Sequence, residues 1–299
     1  MRSIGEEVRA GRRLVSDGAW GTALQERGLR SGDCPELWNA ERRADVLAIA
    51  RSYVEAGSDL IETNSFGGNR LKLAHYGLAE RVAELNEAAA AISREAAGPD
   101  RHVLASIGPS GKMLLMGDVT EEDMYKAFKE QAQALERGGA DACCVETFAD
   151  LDEARLAVRA AKENTGLEVA CTFTFEKTRQ GEYRTMMGVS PADMAAAMLA
   201  ADADLVGANC GNGMEQMTEI VRELRQAAPD VPVLIHANAG MPVTVDGVDT
   251  FPEDPETMAR LALDVVRAGA QIVGGCCGAT PAHIRAIRRA LRDAGMIEA

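Results

Sequence analysis

The chain of 299 residues has few aromatic residues, no long apolar run and no excess of basic residues. Its first residues are charged throughout and include no apolar segment, so we expect no signal peptide. No run of about 18 apolar residues occurs, so we expect no membrane span. Lys and Arg number 32 against 46 Asp and Glu, a formal net charge of −14. A chain this acidic is not expected to bind nucleic acid or anionic lipid.

The cysteine content also limits the possible classes of protein. The seven cysteines are an odd number and no secretory signal accompanies them, so we expect reduced thiols and a cytoplasmic location. Such cysteines serve as core residues, metal ligands or catalysts. Low-complexity tracts, short repeats and linkers rich in Pro, Gly or Ser are not found in the sequence, and we therefore expect one domain over residues 1–299.

Short apolar runs recur along the chain, each followed by an Ala-rich amphipathic stretch. Runs of this length bounded by turn residues are typical of buried parallel strands. The predicted strands are Leu14–Ala19, Asp59–Asn64, His102–Gly108, Ala142–Thr147, Glu168–Phe175, Asp204–Cys210, Pro232–Ala239 and Gln271–Cys277. Several of the intervening helices end in Ala-Gly, as a helix C-terminus often does. The last helix is predicted to begin at Thr280-Pro281, an N-cap followed by proline.

Eight strands that alternate with helices predict an α/β protein, a (β/α)8 TIM barrel. The alternative is an open doubly wound sheet, which usually has a G-x-G-x-x-G turn after its first strand. The first strand here ends in DGAWGT instead, so the barrel is favoured.

In such barrels the functional residues lie at the carboxyl ends of the strands. Polar residues do occupy these positions, and they meet at one rim only if the barrel closes. They are Asp17, Glu62, Thr63, Asn64, Ser106, Glu146, Thr147, Thr172, Thr174, Asn209, Cys210, Asn238, Cys276 and Cys277.

Three of the cysteines lie at the ends of the sixth and eighth strands: Cys210, Cys276 and Cys277. Adjacent side chains on a regular strand point to opposite faces. Cys276 and Cys277 can therefore reach one ion only if the backbone turns, and the flanking glycines 274, 275 and 278 give it that freedom. Three thiolates with an open fourth position are typical of a catalytic zinc site.

From the residues alone, three interpretations of this cluster stay open: a zinc site, three small core residues, or a disulfide between the adjacent cysteines. The remaining cysteines have simpler interpretations. Cys143 and Cys144 lie inside the fourth strand without flanking glycines, and we expect one to face the barrel interior and the other the helices. Cys171 is also predicted to be a packing residue, and Cys34 a loop cysteine without a role.

The motifs, taken in order, resemble those of the homocysteine S-methyltransferase family. The resemblance covers essentially the whole chain and is greatest to the homocysteine-binding module of cobalamin-dependent methionine synthase, with betaine–homocysteine methyltransferase more distant. The motifs that carry it are DGAWGTALQERG, ETNSFGGNRLKL, GPSG, VETF, GANC, NAGMP and GGCCGATPAHIRAI. The family's fold is a (β/α)8 barrel with zinc bound by three cysteines.

The resemblance implies roles for individual residues. Zinc would be held by Cys210, Cys276 and Cys277, with Asn238 as a weak fourth ligand before the substrate arrives.

The resemblance also implies how the substrate is held. Asp17 and Glu146 would bind the amino group of homocysteine, and the backbone of the Gly18-Ala19 turn would meet its carboxylate. His236, inside the seventh strand, is interpreted as a satisfied core histidine.

The implied activity is zinc-dependent methylation of homocysteine to methionine, with homocysteine activated as a zinc-bound thiolate. The expected donor is a methyl-corrinoid such as methylcobalamin carried by a separate protein, because the predicted barrel accounts for the whole sequence and betaine-binding aromatics are not evident. Two alternatives remain: the same chemistry with S-methylmethionine, betaine or a different amino-thiol acceptor, and a non-catalytic subunit that binds thiols or metal.

Overall fold

The computed structural model describes residues 2–245 and 248–298, and its central element is one sheet of eight parallel strands. We label these strands β1 to β8 in chain order. They are Leu14–Val15, Leu60–Glu62, His102–Ile107, Ala142–Phe148, Glu168–Phe173, Leu205–Asn209, Val233–Ala237 and Ile272–Gly275. All eight predicted strands are confirmed, although most are shorter than the apolar runs that predicted them.

Twelve α-helices lie within the described residues, and we label them α1 to α12. They are Ile4–Arg9, Trp20–Glu26, Trp38–Glu41, Arg43–Ala56, Arg70–Leu73, Val82–Ala97, Glu121–Arg137, Leu151–Asn164, Pro191–Ala200, Met214–Ala227, Pro255–Ala268 and Pro281–Asp293. Four short 3-10 segments and two small antiparallel hairpins lie in the connections. The hairpins pair Glu176–Lys177 with Tyr183–Arg184 and Val243–Val245 with Val248–Thr250.

The sheet closes on itself. Each strand pairs in parallel with its sequence neighbour from β2 to β8, and β1 pairs with β8 through Leu14 opposite Ile272. A parallel bridge between Ser16 and Leu60 joins β1 to β2 and completes the ring. The chain is therefore a (β/α)8 barrel, as the alternation of strands and helices predicted.

Apolar side chains fill the end of the barrel where the strands begin. The buried interior cluster combines residues from all eight strands with Ile4 and Val8 of α1. The side chain of Glu168, at the start of β5, accepts hydrogen bonds from the backbone N–H groups of Ile4 and Gly5 at 2.6 and 3.0 Å. Helix α1 thus covers this end of the barrel interior.

The predicted helix boundaries follow local chemistry. Helix α12 begins after an N-cap at Thr280 with proline in its first turn, as predicted. Helix α4 ends at Ala56, and Gly57 follows in the left-handed region at φ 97°. Among the helices of the described chain, none is both long and apolar enough to cross a membrane.

Candidate metal and substrate site

A cavity of about 340 Å³ opens at the rim formed by the carboxyl ends of the strands. Its wall includes residues that follow or end six of the eight strands, namely Gly18, Ala19, Glu62, Thr63, Asn64, Ser106, Glu146, Thr147, Cys210, Cys276 and Cys277. The predicted convergence of polar strand ends is thus confirmed for most of them. Five of them do not line the cavity but form hydrogen bonds next to it: Asp17, Thr172, Thr174, Asn209 and Asn238.

The three rim cysteines form one cluster. The Sγ atoms of Cys210, Cys276 and Cys277 all lie within 4.8 Å of one another, and the sulfurs of Cys210 and Cys277 are 3.9 Å apart. All seven cysteines of the chain are free, so the disulfide interpretation is not what the structure shows. All three rim residues are only partly buried and line the cavity, which also distinguishes them from core residues.

The backbone turns where the adjacent cysteines require it. Strand β8 ends at Gly275, and the N–H of Ala279 donates to the carbonyl of Cys276 at 3.0 Å, which closes a turn. Gly278 lies in the left-handed region at φ 78°. The prediction that Gly274 and Gly275 also supply backbone freedom was wrong.

These two glycines belong to β8 and are needed for close approach instead. A Cβ at residue 274 would come within 2.8 Å of the carbonyl oxygen of Asp17. A Cβ at residue 275 would collide with the methyl group of Ala279. The small residues therefore bring β8 and the cysteine turn against the end of β1.

Cys210 is held in a strained backbone conformation, with φ at 56°. Its N–H donates to the carbonyl of His236, and its own carbonyl accepts from Asn212. Both neighbouring thiols hydrogen bond to its sulfur, which lowers the pKa of Cys210 to about 3 and raises the pKa of Cys276 and Cys277. The two neighbouring thiols therefore stabilise the thiolate form of Cys210.

Asn238, the predicted weak fourth ligand, lies next to this cluster. Its side chain hydrogen bonds to the sulfur of Cys210. It is buried, and among the described residues its Oδ1 has no hydrogen-bond partner. The amide therefore has an acceptor available beside the three thiols.

The other four cysteines are buried. Cys144 joins the barrel interior, whereas Cys143 and Cys171 join the layer between strands and helices, which confirms the prediction for the fourth strand. Cys34 was predicted to have no role. Its thiol donates to the Glu36 carboxylate at 3.3 Å, and Glu36 accepts from the N–H of Gly67 on the cavity wall.

Glu146 reaches the cavity because β4 bulges at its end. The register shifts between Val145 and Phe148, and Thr147 adopts φ 64°. Asn209 fixes this bulge: its Oδ1 accepts from the N–H of Thr147 at 2.8 Å, and its Nδ2 lies 3.3 Å from Glu146.

The environment of Glu146 also perturbs its ionisation. Ser106 donates a short hydrogen bond to its Oε1. Burial raises the pKa of Glu146 to about 7, with further contributions from Cys210 and Asp17. A cation beside this carboxylate would favour its charged form.

Asp17 is buried behind the cavity wall. Its Oδ2 accepts from the indole Nε1 of Trp20 at 2.9 Å and from the N–H of Glu62 at 2.8 Å. Burial raises the pKa of Asp17 to about 7. Its carboxylate thus ties the end of β1 to the end of β2 and to α2.

The Gly18-Ala19 turn does form part of the cavity wall. The N–H of Ala19 already donates to the carbonyl of Ala279 at 2.9 Å. Gly18 packs so closely that a Cβ there would collide with the same carbonyl. The turn is followed directly by the first turn of α2, which has no side-chain cap among the described residues and also lines the cavity.

Two residues on the cavity wall were not predicted to bind metal or substrate. Glu62 ends β2, and His236 lies in β7. The Nδ1 of His236 is 3.5 Å from Glu62 Oε1, and burial lowers the pKa of His236 to about 4, so the ring is neutral. Within the described chain its Nε2 lacks a partner, so the expectation of a satisfied core histidine was wrong.

Aromatic residues also line the cavity, although the low aromatic content of the sequence did not predict this. Trp20, Phe66 and Tyr76 line its outer part. They come from α2 and from the loop after β2, positions that are distant from one another in the sequence.

The carboxyl rim of this TIM barrel thus brings together buried carboxyl groups and three thiols that could hold a metal ion. The family model of homocysteine S-methyltransferases matches residues 14–291. The chain therefore belongs to the homocysteine S-methyltransferase family.

Individual relatives agree with this assignment. The chain is 38% identical to a methionine synthase of Mycobacterium tuberculosis over 96% of its own length and 25% of the relative's. It is 37% identical to a methionine synthase of Mycobacterium leprae over 95% of its length and again 25% of the relative's. The chain thus spans about a quarter of the length of these curated relatives.

A solved structure shows the same fold. It is the metallated form of the homocysteine methyltransferase MmuM from Escherichia coli, with a TM-score of 0.77 and 22% sequence identity. The match covers 95% of this chain and 98% of the other.

Proposed function

We propose that this barrel methylates homocysteine to methionine at a zinc site formed by Cys210, Cys276 and Cys277. The observation that carries the proposal is the cluster of three free sulfurs within 4.8 Å of one another on the wall of a cavity that also holds buried carboxyl groups. A substrate that bears both a thiol and an ammonium group can meet both features in one cavity.

The residues present fit zinc. Three thiol ligands without histidine suit a soft or borderline ion, and zinc is the common one that binds this way. The unpartnered Oδ1 of Asn238 offers a weak fourth ligand that a substrate sulfur can displace. When bound, zinc would keep the substrate sulfur deprotonated at neutral pH. Thiols at such a site must stay reduced, which fits a cytoplasmic location.

The remaining residues hold the amino-acid part of the substrate. Glu146 provides a carboxylate at the end of β4, close enough to the cluster for the charge of Cys210 to raise its pKa. Gly18 and the first turn of α2 provide backbone N–H groups toward which the substrate carboxylate would lie. Asp17, close enough to Glu146 to raise the pKa of that carboxyl group, would share the ammonium group of the substrate.

We further propose that the methyl donor is a methyl-corrinoid carried by a separate protein or domain. Within the described residues, every exposed large apolar side chain lies in one of the connections that follow a barrel strand. These side chains are Phe66, Tyr76, Met113, Leu115, Met116, Met186, Met187, Met241 and Val243. A small donor would be enclosed in the cavity, whereas exposed apolar side chains around its rim favour contact with a large partner.

One observation favours the alternative of a small cationic donor such as S-methylmethionine. Trp20, Phe66 and Tyr76 line the outer cavity, and aromatic faces attract sulfonium or quaternary ammonium groups. The two donors are distinguished by experiment.

The test is a donor panel with the zinc-loaded protein and homocysteine, read out as methionine. We expect methylcobalamin, free or on a corrinoid protein, to give catalytic amounts of methionine, and betaine to give none. Turnover with S-methylmethionine alone would reassign the donor. Binding of homocysteine without methionine formation from any donor would contradict the enzymatic proposal and favour a thiol-binding subunit.

A further inference from the structure

Asn209 is the last residue of β6, and its fully buried side chain connects three strands. Its Oδ1 accepts hydrogen bonds from the N–H of Thr147 and from the hydroxyl of Thr172, both at 2.8 Å. Its Nδ2 donates to Oγ1 of Thr147 at 2.7 Å and to Oε2 of Glu146 at 3.3 Å. The amide thus makes the four hydrogen bonds that its two N–H groups and two lone pairs allow, and it joins β6 to β4 and β5.

These hydrogen bonds lie between two strained backbone positions. Thr147 has φ 64° and Cys210 has φ 56°, in the left-handed region that residues other than glycine rarely adopt. Such conformations persist only where the surrounding structure holds them. Asn209 binds both the N–H and the hydroxyl of Thr147. It also directly precedes Cys210, and its carbonyl accepts from the hydroxyl of Thr174 at 2.9 Å. One residue therefore holds both strained positions.

The two strained positions carry the groups that an amino-thiol substrate would meet. Glu146 directly precedes Thr147, and Cys210 belongs to the cluster of three thiols. Burial raises the pKa of Glu146, and the charge of Cys210 raises it further, so the two side chains lie close together. The distance between the thiol cluster and Glu146 therefore determines which separation of thiol and amino group fits the cavity.

A fixed distance would distinguish substrates by chain length. Homocysteine has one more methylene than cysteine between its thiol and its amino group, which adds one C–C bond of roughly 1.5 Å. A displacement of about 1 Å at a binding group can change a rate by about a hundredfold. A mobile Glu146 could follow the shorter substrate, but the hydrogen bonds of Asn209 to Glu146 and to Thr147 oppose that movement.

We propose that Asn209 is a positioning residue that fixes the distance between the thiol cluster and Glu146, and that it thereby selects homocysteine over cysteine. This inference rests on the proposed function, because it assumes an amino thiol whose sulfur binds at the cluster and whose ammonium group binds Glu146. Asn209 does not line the cavity, so it acts through Glu146 and Cys210 rather than by touching the substrate.

The experiment compares L-homocysteine with L-cysteine by calorimetry on the zinc-loaded protein, with zinc content measured before and after each titration. The two ligands carry the same three polar groups and differ by one methylene. The wild type should prefer homocysteine by about tenfold to 200-fold, the usual discrimination for one methylene. Asn209→Ala should keep one equivalent of zinc but lower this ratio to about threefold or less, mainly by weakening homocysteine binding. A folded, zinc-loaded Asn209→Ala with the ratio of the wild type would overturn the inference.

Thr172→Val is the matched control. It keeps the shape of the side chain and removes one hydrogen bond of the Asn209 amide, but none of those to β4. The ratio should stay within about threefold of the wild type. A loss as large as that in Asn209→Ala would show that general loosening, rather than the link between Asn209 and β4, changes the ratio, and would contradict the inference.

A second variant keeps the test valid if Asn209→Ala does not fold. Thr147→Gly removes the hydroxyl that Asn209 binds, and glycine adopts a φ of 64° without strain. The bulge becomes less constrained, and the ratio should fall at least about threefold. An unchanged ratio would count against the inference.

The wild type separates this inference from the proposed function. Equal affinity for homocysteine and cysteine would overturn the selection by chain length and leave the methylation proposal standing. A zinc-loaded wild type that binds neither ligand would contradict the proposed function itself.

Discussion

The chain contains two pairs of adjacent cysteines, and they behave differently. Cys143 and Cys144 lie in the middle of β4, where one side chain packs outward against the helices and the other inward. Cys276 and Cys277 follow the last residue of β8, and both thiols belong to one cluster with Cys210. The same dipeptide therefore fills the core in a regular strand and can bind an ion where the strand ends.

The difference arises from backbone geometry rather than from the thiols themselves. In a regular strand neighbouring side chains point to opposite faces, so two adjacent cysteines cannot bind the same ion. A turn removes that constraint, and Gly278 at φ 78° allows the chain to turn directly after the pair. In a TIM barrel this turn lies at the carboxyl rim, where it opens on the cavity.

The strongest test of this difference replaces one cysteine of each pair with serine. Cys276→Ser should lower zinc affinity by more than about a hundredfold, because even partners outside the ligand shell are worth 10–100-fold, and should abolish turnover. Cys144→Ser should keep a full equivalent of zinc. Metal analysis after dialysis, with circular dichroism to verify folding, measures both. Stoichiometric zinc in Cys276→Ser would contradict the assignment.

A second test uses β4 itself, which carries packing cysteines in its middle and Glu146 near its end. Glu146→Gln should raise the homocysteine KM by about tenfold to a hundredfold, because the carboxylate loses its charge while Ser106 and Asn209 can still contact the amide. Steady-state kinetics with varied homocysteine measures the effect. An unchanged KM would remove Glu146 from the substrate site.

A substitution in the other pair, Cys143 and Cys144, should instead change the stability of the fold. Cys143→Ser places a hydroxyl in the apolar layer between β4 and the helices. We expect the free energy of unfolding to fall by about 1–3 kcal/mol, with zinc content and homocysteine KM unchanged. Urea denaturation monitored by circular dichroism gives the first quantity. A variant that loses zinc without losing stability would break the distinction between the two pairs.

The smallest effect concerns Asp17, a strand-end residue that lies behind the cavity wall. Its pKa of about 7 in the folded protein exceeds the ordinary value of 3.8 for this carboxyl group, so the folded state binds its proton more tightly than the unfolded state. Asp17 therefore reduces stability as pH rises from about 4 to 7, by at most about 1.4 kcal/mol per pH unit. Asp17→Asn should remove this part of the pH dependence.

Denaturation of the metal-free wild type and the variant at pH 5, 6 and 7 measures the difference. The stability of Asp17→Asn relative to the wild type should increase with pH. A constant difference would show that Asp17 keeps its ordinary pKa in the fold.

The sequence predicted the parts of the structure that depend on local patterns. Apolar runs and helix caps such as Thr280-Pro281 were sufficient for eight strands and their helices. The rule that barrel sites lie at strand ends then identified most of the residues that line the cavity, including the three cysteines.

The remaining features depend on contacts between distant segments. Nothing in the local sequence shows that Gly274 approaches the end of β1, or that Asn209 supports the bulge that aims Glu146. The strained φ of Thr147 and Cys210 likewise arises from that surrounding structure. The hydrogen bonds that Asp17 accepts from Trp20 and from the N–H of Glu62 are likewise visible only in the folded structure.

We propose above all that the sulfurs of residues 210, 276 and 277 hold one zinc ion together. X-ray absorption at the zinc edge of the loaded protein tests it most directly. We predict three sulfur neighbours at about 2.3 Å and one lighter atom, with a fourth sulfur replacing that atom when homocysteine is added. A zinc ion surrounded mainly by nitrogen or oxygen, and unchanged by homocysteine, would contradict the account.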